Sequence, residues 1–311
     1  MRIRIGARRS PLAVAQATWI ADRLTSQGHE CVLVGIESQG DTDGRQLTEI
    51  GGTGVFAAAV RDGLLAGTID VAVHSLKDLP IAPAPDLVVA AIPEREDPRD
   101  VLIGAAPDQW REGTVIGTGS PRRALQVEEL ARLLGVTIEI VPIRGNVDTR
   151  IDLARSGQVD ATILAAAGLK RLGRLDNDGA PTAAMTGVGV HALGLADFLP
   201  AAGQGALACE CRDDATAELS AALADIDHAP SRVAVETERA FLFQLGAGCL
   251  APLGVLVHGE STDLTLDAVA GRKCAGDASS ILRRTIRGPL TSDNVRALAD
   301  EFAAWIDREA G

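Results

Sequence analysis

The sequence predicts an α/β fold of two similar, doubly wound α/β domains that flank a cleft, followed by a small α+β domain. Short apolar segments of strand length alternate with longer helical segments, a pattern typical of parallel sheets covered by helices. Two helix starts carry the same pair, at Ser10-Pro11 and Ser120-Pro121. Residues 66–73 and 156–163 also match at a constant offset of 90 residues, each with a helix end, a Gly and a strand entered through an Asp. A repeated domain explains both matches.

Composition and charge exclude several function classes. The 311 residues are 46 % apolar but only 3 % aromatic and contain no Tyr, so aliphatic side chains must fill the cores. The formal net charge of −12 argues against nucleic-acid binding, although it leaves room for a local basic cleft. No apolar run approaches the roughly 18 residues of a membrane helix, and the N-terminus lacks a secretory pattern. Five widely spaced cysteines, an odd number, indicate a reducing cytoplasm.

The first third of the chain predicts strands and helices in alternation. Ser10 is a favoured N-cap and Pro11 a favoured first helical residue, so a helix begins there and runs to about Gln27. A second helix is expected over Val55–Ala66, after a loop at residues 38–54 that is rich in Gly, Asp and Thr. The predicted strands are Arg2–Ala7, Cys31–Ile36 and Ile69–Ser75.

The pattern restarts after a proline-rich stretch, residues 80–107, which predicts a crossover with one strand at Leu87–Ile92. Ser120-Pro121 then opens a helix by the same chemistry as the first one, and another helix is expected over Val147–Ser156. The predicted strands of this half are Thr114–Gly117, Thr137–Ile143 and Val159–Ala165.

The composition changes after about residue 215, which indicates a third, α+β domain. Helices are predicted over Val233–Leu245 and Asn294–Glu309, with strands at Val255–Val257 and Thr262–Ala270. The predicted domains are residues 1–97 plus about 198–216, residues 98–197, and residues 217–311.

Arginines concentrate where strands give way to helix starts. The set consists of Arg8, Arg9, Arg122, Arg123, Arg144 and Arg150. Backbone N–H groups and the helix dipole already favour anions at such positions, and guanidinium groups bind carboxylates in a bidentate way. Pairing with one of the 42 Asp and Glu residues is the simpler account of any single arginine. The whole set favours a cleft for a polycarboxylate or phosphate ligand.

The segment Val73–Pro80 places polar side chains just past a predicted buried strand, where α/β domains display their site residues. Lys77 and Asp78 are adjacent and point opposite ways on an extended segment, so they need not neutralise each other. A turn role before the proline explains Asp78 equally well. His74 is predicted to be a packed strand-end residue.

Cys249 is a single thiol in a loop of small residues after a predicted helix. By itself the pattern favours a free cysteine that acts as a small hydrophobe. Cys209 and Cys211 would share one face of a strand, and two thiols without companion ligands make a poor metal site. No metal site, phosphate loop or Ser-His-Asp arrangement is visible in the sequence.

Eight ordered segments together resemble the hydroxymethylbilane synthase (porphobilinogen deaminase) family, and they extend over most of the chain. They are Arg8–Ala13, Val73–Pro80, Arg95–Asp100, Gly117–Arg123, Arg144–Arg150, Leu199–Ala206, Glu238–Leu242 and Gly248-Cys249. Eight motifs in order are far more specific than any one of them.

The resemblance implies a cytoplasmic, monomeric, three-domain transferase of tetrapyrrole (haem) biosynthesis. Such an enzyme joins four porphobilinogen units head to tail with loss of ammonia, and it releases hydroxymethylbilane by hydrolysis. The priming group is one covalent dipyrromethane per chain, held by a thioether that falls on Cys249 here. Because this cofactor is assembled from substrate, the resemblance implies no metal or nucleotide.

The resemblance also implies roles for single residues. Asp78 corresponds to the family's catalytic carboxylate, since loss of ammonia leaves a cationic azafulvene that a fixed carboxylate stabilises. A role of the same carboxylate in proton transfer is also implied. Cofactor binding is assigned to Lys77, Asp78, Thr118, Ser120, Arg122 and Arg123. Binding of the incoming pyrrole is assigned to Arg8, Ser10, Arg144, Arg150 and Arg171.

The chain departs from the family pattern in the loop before the second helix. Family members often carry lysines there, whereas this chain has Thr53 and Ala58. The alternative function is a two-lobed anion-binding protein without catalysis, because solute-binding-protein-like lobes would share the paired domains and the arginines. The missing export pattern and the third domain with Cys249 argue against that alternative.

Overall fold

The computed structural model describes residues 1–37, 54–246, 252–260, 263–273 and 279–307. The chain divides into two compact units. The first unit comprises Met1–Glu96 and Gly203–Glu236, and the second comprises Asp97–Ala202 and Thr237–Gly311. The division into three domains stays a prediction. Within the described ranges, no helix combines the length and the apolar character that crossing a bilayer requires.

The first unit is built on a five-stranded sheet, here called the first sheet. Its strands are β1 (Arg2–Arg8), β2 (Glu30–Ile36), β3 (Val71–Ser75), β4 (Leu87–Ala91) and β10 (Leu207–Arg212). The spatial order is β2-β1-β3-β10-β4, in which β1 is parallel to β2 and β3 while β10 is antiparallel to β3 and β4. The helices of this unit include α1 (Pro11–Ser26), α2 (Gly54–Leu65) and α6 (Ala217–Ala224).

Helix α1 begins where the sequence predicts. The Ser10 side chain accepts a hydrogen bond from the Ala13 backbone N–H at 3.3 Å, and Pro11 occupies the first helical position. The buried face of α1, which includes Ile20 and Leu24, packs in one cluster with Ile5 of β1. The cap and the apolar face together fix the direction in which β1 leads into the helix.

The second unit contains a sheet with the same plan, here called the second sheet. Its strands are β5 (Asp100–Gly104), β6 (Thr114–Gly117), β7 (Ile138–Val141), β8 (Ala161–Ala165) and β9 (Val190–Ala192). The order is β7-β6-β8-β5-β9, with β6 parallel to β7 and β8, and β5 antiparallel to β8 and β9. Its helices include α3 (Pro121–Leu134), α4 (Val147–Arg155) and α5 (Ala166–Arg171).

The two sheets correspond residue by residue. Gly6 pairs with Ala72 in the first sheet, and Gly117 pairs with Thr162 in the second, which preserves the offset of 90 residues between β3 and β8. The predicted fold class, two similar α/β domains followed by α+β structure, is thereby confirmed. The prediction missed β5, which follows the proline-rich stretch directly.

The rest of the second unit carries an antiparallel sheet and two helices. Helix α7 (Ala229–Gln244) begins in the first unit and ends in the second, and α8 (Ser292–Asp307) lies near the C-terminus. The ring of Phe241 on α7 meets the ring of Phe302 on α8 edge to face at 5.4 Å. The strands are β11 (Leu253–Glu260), β12 (Asp263–Lys273) and β13 (Ser279–Gly288), in that order in space. Strand β13 was not among the strands predicted from the sequence.

Candidate active site

Asp78 lies at the end of a short 3-10 turn, Leu76–Asp78, directly after β3. The Leu76 N–H donates to the Ala206 carbonyl oxygen at 3.0 Å, and the Leu79 N–H donates to the Leu76 carbonyl oxygen at 3.1 Å. Leu76 and Leu79 are each only 1 % exposed. The buried leucines and the two backbone hydrogen bonds fix the turn, so the half-buried Asp78 sits on a rigid support.

Three predicted site residues of the first unit line one cavity of about 70 Å³, here called the Asp78 pocket. They are Asp78, Arg8 at the end of β1, and Ser10 at the start of α1. Parallel strands bring their carboxyl ends to the same edge of a sheet, and for that reason β1 and β3 deliver these residues to one place. The cavity has room for about two water molecules.

Polar side chains also form the wall of the Asp78 pocket. The Gln16 amide Nε2 donates to Ser75 Oγ at 2.8 Å, and Ser75 Oγ donates to Gln16 Oε1 at 3.1 Å. Gln16 is on α1 and Ser75 ends β3, so this pair joins the two elements that carry Ser10 and Asp78. Both residues line the pocket.

A buried charge network lies next to the Asp78 pocket, and sequence analysis did not find it. His74, which lines the pocket, has its Nε2 3.3 Å from Glu210 Oε2. Arg61 of α2 donates to both carboxylate oxygens of Glu210 at 2.8 to 3.2 Å. Burial raises the pKa of Glu210, but the neighbouring His74 and Arg61 outweigh it and hold that pKa below the usual 4.5. His74 is buried at the strand end, as predicted, and it also contacts the carboxylate of Glu210.

The predicted cofactor-binding residues of the second unit surround the start of α3. The Ser120 side chain caps the helix by accepting from the Arg123 N–H at 3.4 Å, and Pro121 follows it. The Ser120 N–H donates to Thr118 Oγ1 at 3.2 Å. Thr118 is 6 % exposed and Ser120 is half-buried. This arrangement repeats the start of α1 in the first unit.

Arg122 and Arg123 direct their guanidinium groups inward, to Asp100 at the start of β5. Arg122 Nη1 lies 2.8 Å from Asp100 Oδ2, and Arg123 Nη2 donates to Asp100 Oδ1 at 2.7 Å. Burial alone would raise the pKa of Asp100, but the two adjacent guanidinium groups outweigh it and leave that pKa far below the usual range. We call these three residues the Asp100 cluster. Its formal charge is +1, and sequence analysis did not single out Asp100.

The other predicted arginines occupy more exposed places. Arg144 is exposed, and Arg150 on α4 donates from Nε to the Gly145 carbonyl oxygen at 3.0 Å. Gly145 has a φ of +104°, which a residue with a side chain rarely adopts, and this conformation forms the turn between Arg144 and the helix. Arg171 ends α5 and is half-buried, as is Lys77 in the turn before Asp78.

Cys249 and nearly all of the predicted loop at residues 38–54, including Thr53, lie outside the described residues. Cys209 and Cys211 are free thiols on β10 and are fully buried. Burial raises the pKa of the Cys209 thiol to about 12, and it raises that of Cys211 as well. A thiol must ionise before it acts as a nucleophile, so these two cysteines are unreactive at neutral pH.

The donor groups fit an anionic ligand. The Asp78 pocket combines a guanidinium, a hydroxyl and the positive end of α1 with one carboxylate, so it suits a carboxylate-bearing molecule that develops positive charge. The Asp100 cluster has a formal surplus of one positive charge beside the start of α3. Arg123 Nε is buried and has no hydrogen-bond partner within the described part of the chain. Such a donor is costly to leave unpaired.

Sequence comparisons with known proteins point to one family. Residues 3–220 match a family model described as "Porphobilinogen deaminase, dipyromethane cofactor binding domain". The chain is 47 % identical to "Porphobilinogen deaminase 1" of Streptomyces coelicolor, over 97 % of this chain and 93 % of that protein. It is 46 % identical to "Porphobilinogen deaminase" of Mycobacteroides abscessus, over 90 % of this chain and 89 % of that protein.

Among solved structures, a periplasmic substrate-binding protein of an ABC transporter from Coxiella burnetii is similar at a TM-score of 0.43. That pair shares 17 % identity over 74 % of this chain and 94 % of the other.

Proposed function

The chain belongs to the porphobilinogen deaminase family, and on that premise we propose how its residues divide the reaction. The enzyme is a transferase of tetrapyrrole biosynthesis that joins four porphobilinogen units with loss of ammonia and releases hydroxymethylbilane by hydrolysis. Its cofactor is dipyrromethane. When bound, this cofactor would supply the free pyrrole carbon that accepts the first unit. One observation carries the proposal for the residues: Asp78, Arg8 and Ser10 line the same small cavity.

Asp78 is the catalytic residue of this proposal. Departure of ammonia leaves a positive charge on the substrate, and a preorganised carboxylate at that point stabilises the charge without reorganising. In this position the carboxylate oxygens of Asp78 accept hydrogen bonds from the pyrrole N–H groups. They also take up the proton that each new carbon–carbon bond releases. The buried leucines on both sides of the turn keep the carboxylate in place.

Arg8 and Ser10 bind the carboxylates of the incoming pyrrole. The Ser10 oxygen accepts the Ala13 N–H, so its own O–H proton is left to donate to a ligand. The Arg8 side chain and the dipole of α1 add positive charge at the same point. Arg144, Arg150 and Arg171 of the second unit are proposed to serve the same substrate.

The cofactor carboxylates are proposed to bind Lys77, Thr118, Ser120, Arg122 and Arg123. Two arginines in the first turn of α3 oppose the helix dipole, and Asp100 compensates only one of their charges. An anionic ligand supplies the further negative charge that this helix start favours. The acetate and propionate groups of a dipyrromethane have the required chemistry.

Cys249 is proposed to hold the cofactor through a thioether. Two of the other four cysteines are poor nucleophiles, because Cys209 and Cys211 are buried and their thiol pKa values are raised. Intact mass spectrometry tests the assignment directly. The purified chain is expected to exceed its sequence mass by one dipyrromethane and to develop colour with Ehrlich's reagent. Cys249→Ser should remove both signals, and the half-buried Cys31→Ser should keep them.

Two outcomes would overturn parts of this proposal. A wild-type chain at its bare sequence mass, unchanged by incubation with porphobilinogen, would remove the covalent cofactor. A pyrrole adduct that persists in Cys249→Ser would move the attachment to another residue.

We also propose that the enzyme is a monomer of the cytoplasm. The buried free thiols of Cys209 and Cys211 suit a reducing compartment, and the net charge of −12 favours solubility and disfavours nucleic acid and anionic membranes. Light scattering coupled to gel filtration should give the mass of one chain, 32.3 kDa, plus the cofactor. A mass of two chains would contradict the monomer.

A further inference from the structure

Asp100 forms an ion pair with each of the two proposed cofactor-binding arginines. It begins β5, is 1 % exposed, and has one guanidinium on each carboxylate oxygen at 2.7 and 2.8 Å. Arg122 and Arg123 are adjacent in the first turn of α3, so their side chains would diverge without a common partner. One aspartate on a neighbouring strand brings the two guanidinium groups to the same place.

Each guanidinium also donates to a backbone carbonyl oxygen, in Arg122 from the same Nη1 that contacts Asp100. Arg122 Nη1 donates to the Leu199 carbonyl oxygen at 2.6 Å, and Arg123 Nη1 donates to the Ile163 carbonyl oxygen at 2.7 Å. Leu199 is itself fixed by Gln126, whose amide donates to its carbonyl oxygen at 2.9 Å and accepts its N–H at 2.7 Å. Each arginine therefore has a defined orientation before any ligand arrives.

The equivalent place in the first sheet shows that the fold does not require this carboxylate. Asp100 pairs with Ala165 across β5 and β8, and its counterpart Leu207 pairs with Ser75 across β10 and β3. Leu207 is 1 % exposed, in an ordinary apolar core. In α1 the residues that correspond to Arg122 and Arg123 are Leu12 and Ala13. A carboxylate therefore stands at this position in the sheet whose helix carries the two arginines, and a leucine stands there in the other sheet.

We propose that Asp100 is a positioning residue for the cofactor, which fixes Arg122 and Arg123 in the orientation that receives the cofactor carboxylates. This inference rests on the proposed function. Two opposing effects make it testable. Removal of the negative charge raises the formal charge of the cluster from +1 to +2, so electrostatics alone would strengthen the binding of an anion. Loss of orientation weakens it.

The experiment measures how much the cofactor stabilises the chain, with and without the carboxylate. Four proteins are compared: the wild type, Asp100→Asn, Cys249→Ser and the double variant. Intact mass gives the cofactor content of each, and thermal unfolding gives its apparent midpoint. The cofactor increment is the midpoint of the Cys249 chain minus that of the matching Cys249→Ser chain. Leu102→Ala, which opens a cavity on the same strand at a residue that is 0 % exposed, controls for a general loss of stability.

A positioning role predicts that the increment falls by about 3 °C or more in the Asp100→Asn pair, while Leu102→Ala keeps its cofactor. A folded Asp100→Asn chain that carries no cofactor is the extreme form of the same result. An unchanged increment would make Asp100 purely structural, and a larger one would make it only a charge neutraliser. Either would refute the inference. A wild-type chain without the added mass would instead refute the proposed cofactor attachment, so the two failures are distinguishable.

Discussion

The first and second sheets share one strand plan and differ in where they place charge. Asp78 follows β3 in the first sheet, whereas Gly168 occupies the corresponding place after β8. On the antiparallel strand it is the second sheet that carries the carboxylate, because Asp100 of β5 corresponds to Leu207 of β10. The first sheet thus presents a half-buried carboxylate to a pocket, and the second encloses one between two arginines. The shared strand arrangement therefore gives the two sheets equivalent positions, and the single residues at the strand ends determine the chemistry of each.

Asp78→Asn tests the most consequential difference between the sheets. The substitution keeps the shape of the side chain and removes its charge, so folding should be unaffected while kcat falls about 10²- to 10⁴-fold. Steady-state formation of hydroxymethylbilane measures the effect. Asp62→Asn is a matched control, because Asp62 is exposed on α2. A turnover near that of the control would leave Asp78 with the role of a turn residue.

The sequence predicted those parts of the frame that follow from local rules. Ser10 and Ser120 cap their helices as expected, because a cap depends on residues only three positions apart. The offset between β3 and β8 was visible because equivalent elements carry equivalent patterns. Strand β5 was missed because its pairing with β8 is a long-range contact, and the prolines before it suggested irregular structure.

Site residues could be predicted from the sequence only where neighbouring residues in the chain indicate them. Asp78 and Arg8 stand out in the sequence as polar residues next to a predicted strand end and a predicted helix start, whereas the site role of Ser10 was implied only by the family resemblance. The network of Arg61 and Glu210 could not be predicted, because 149 residues separate the partners and β10 enters the first sheet only after the chain has built the second. Asp100 ends one of the eight resembling segments, Arg95–Asp100, but nothing in the sequence shows that β5 places it beside the start of α3.

Glu210 provides a second test of the difference between the two sheets, because its counterpart in the second sheet is Ile103. Glu210→Gln should lower the free energy of unfolding by about 3–5 kcal/mol, since it leaves the largely buried Arg61 unpaired. The paired replacement Arg61→Met with Glu210→Ile, which installs the residue of the second sheet, should be nearly neutral. Urea unfolding measures both. Equal losses in the two variants would mean that the carboxylate itself, rather than its pairing, stabilises the sheet.

The same network predicts an acid-sensitive contribution to stability. The pKa of Glu210 is lowered below its usual 4.5 in the folded chain, so its stabilising contribution is complete above that pH and is lost as the pH falls. Urea midpoints between about pH 6 and pH 3 should therefore fall less steeply in the Arg61→Met, Glu210→Ile chain than in the wild type. If the urea midpoints of the two chains fell equally with pH, the lowered pKa of Glu210 would not be a source of acid sensitivity.

Ser10 offers the finest test, because it caps α1 and also lines the Asp78 pocket. Ser10→Asp keeps the cap and suits the helix dipole, so the unfolding midpoint should hold, whereas Ser10→Ala should cost about 1 kcal/mol. The added negative charge repels the carboxylates of the substrate, which should raise KM about fivefold with little change in stability. Thr216→Asp makes the same exchange at the exposed cap of α6 and should leave KM alone. An unchanged KM in Ser10→Asp would confine Ser10 to capping, and substrate binding in the first unit would then rest on Arg8.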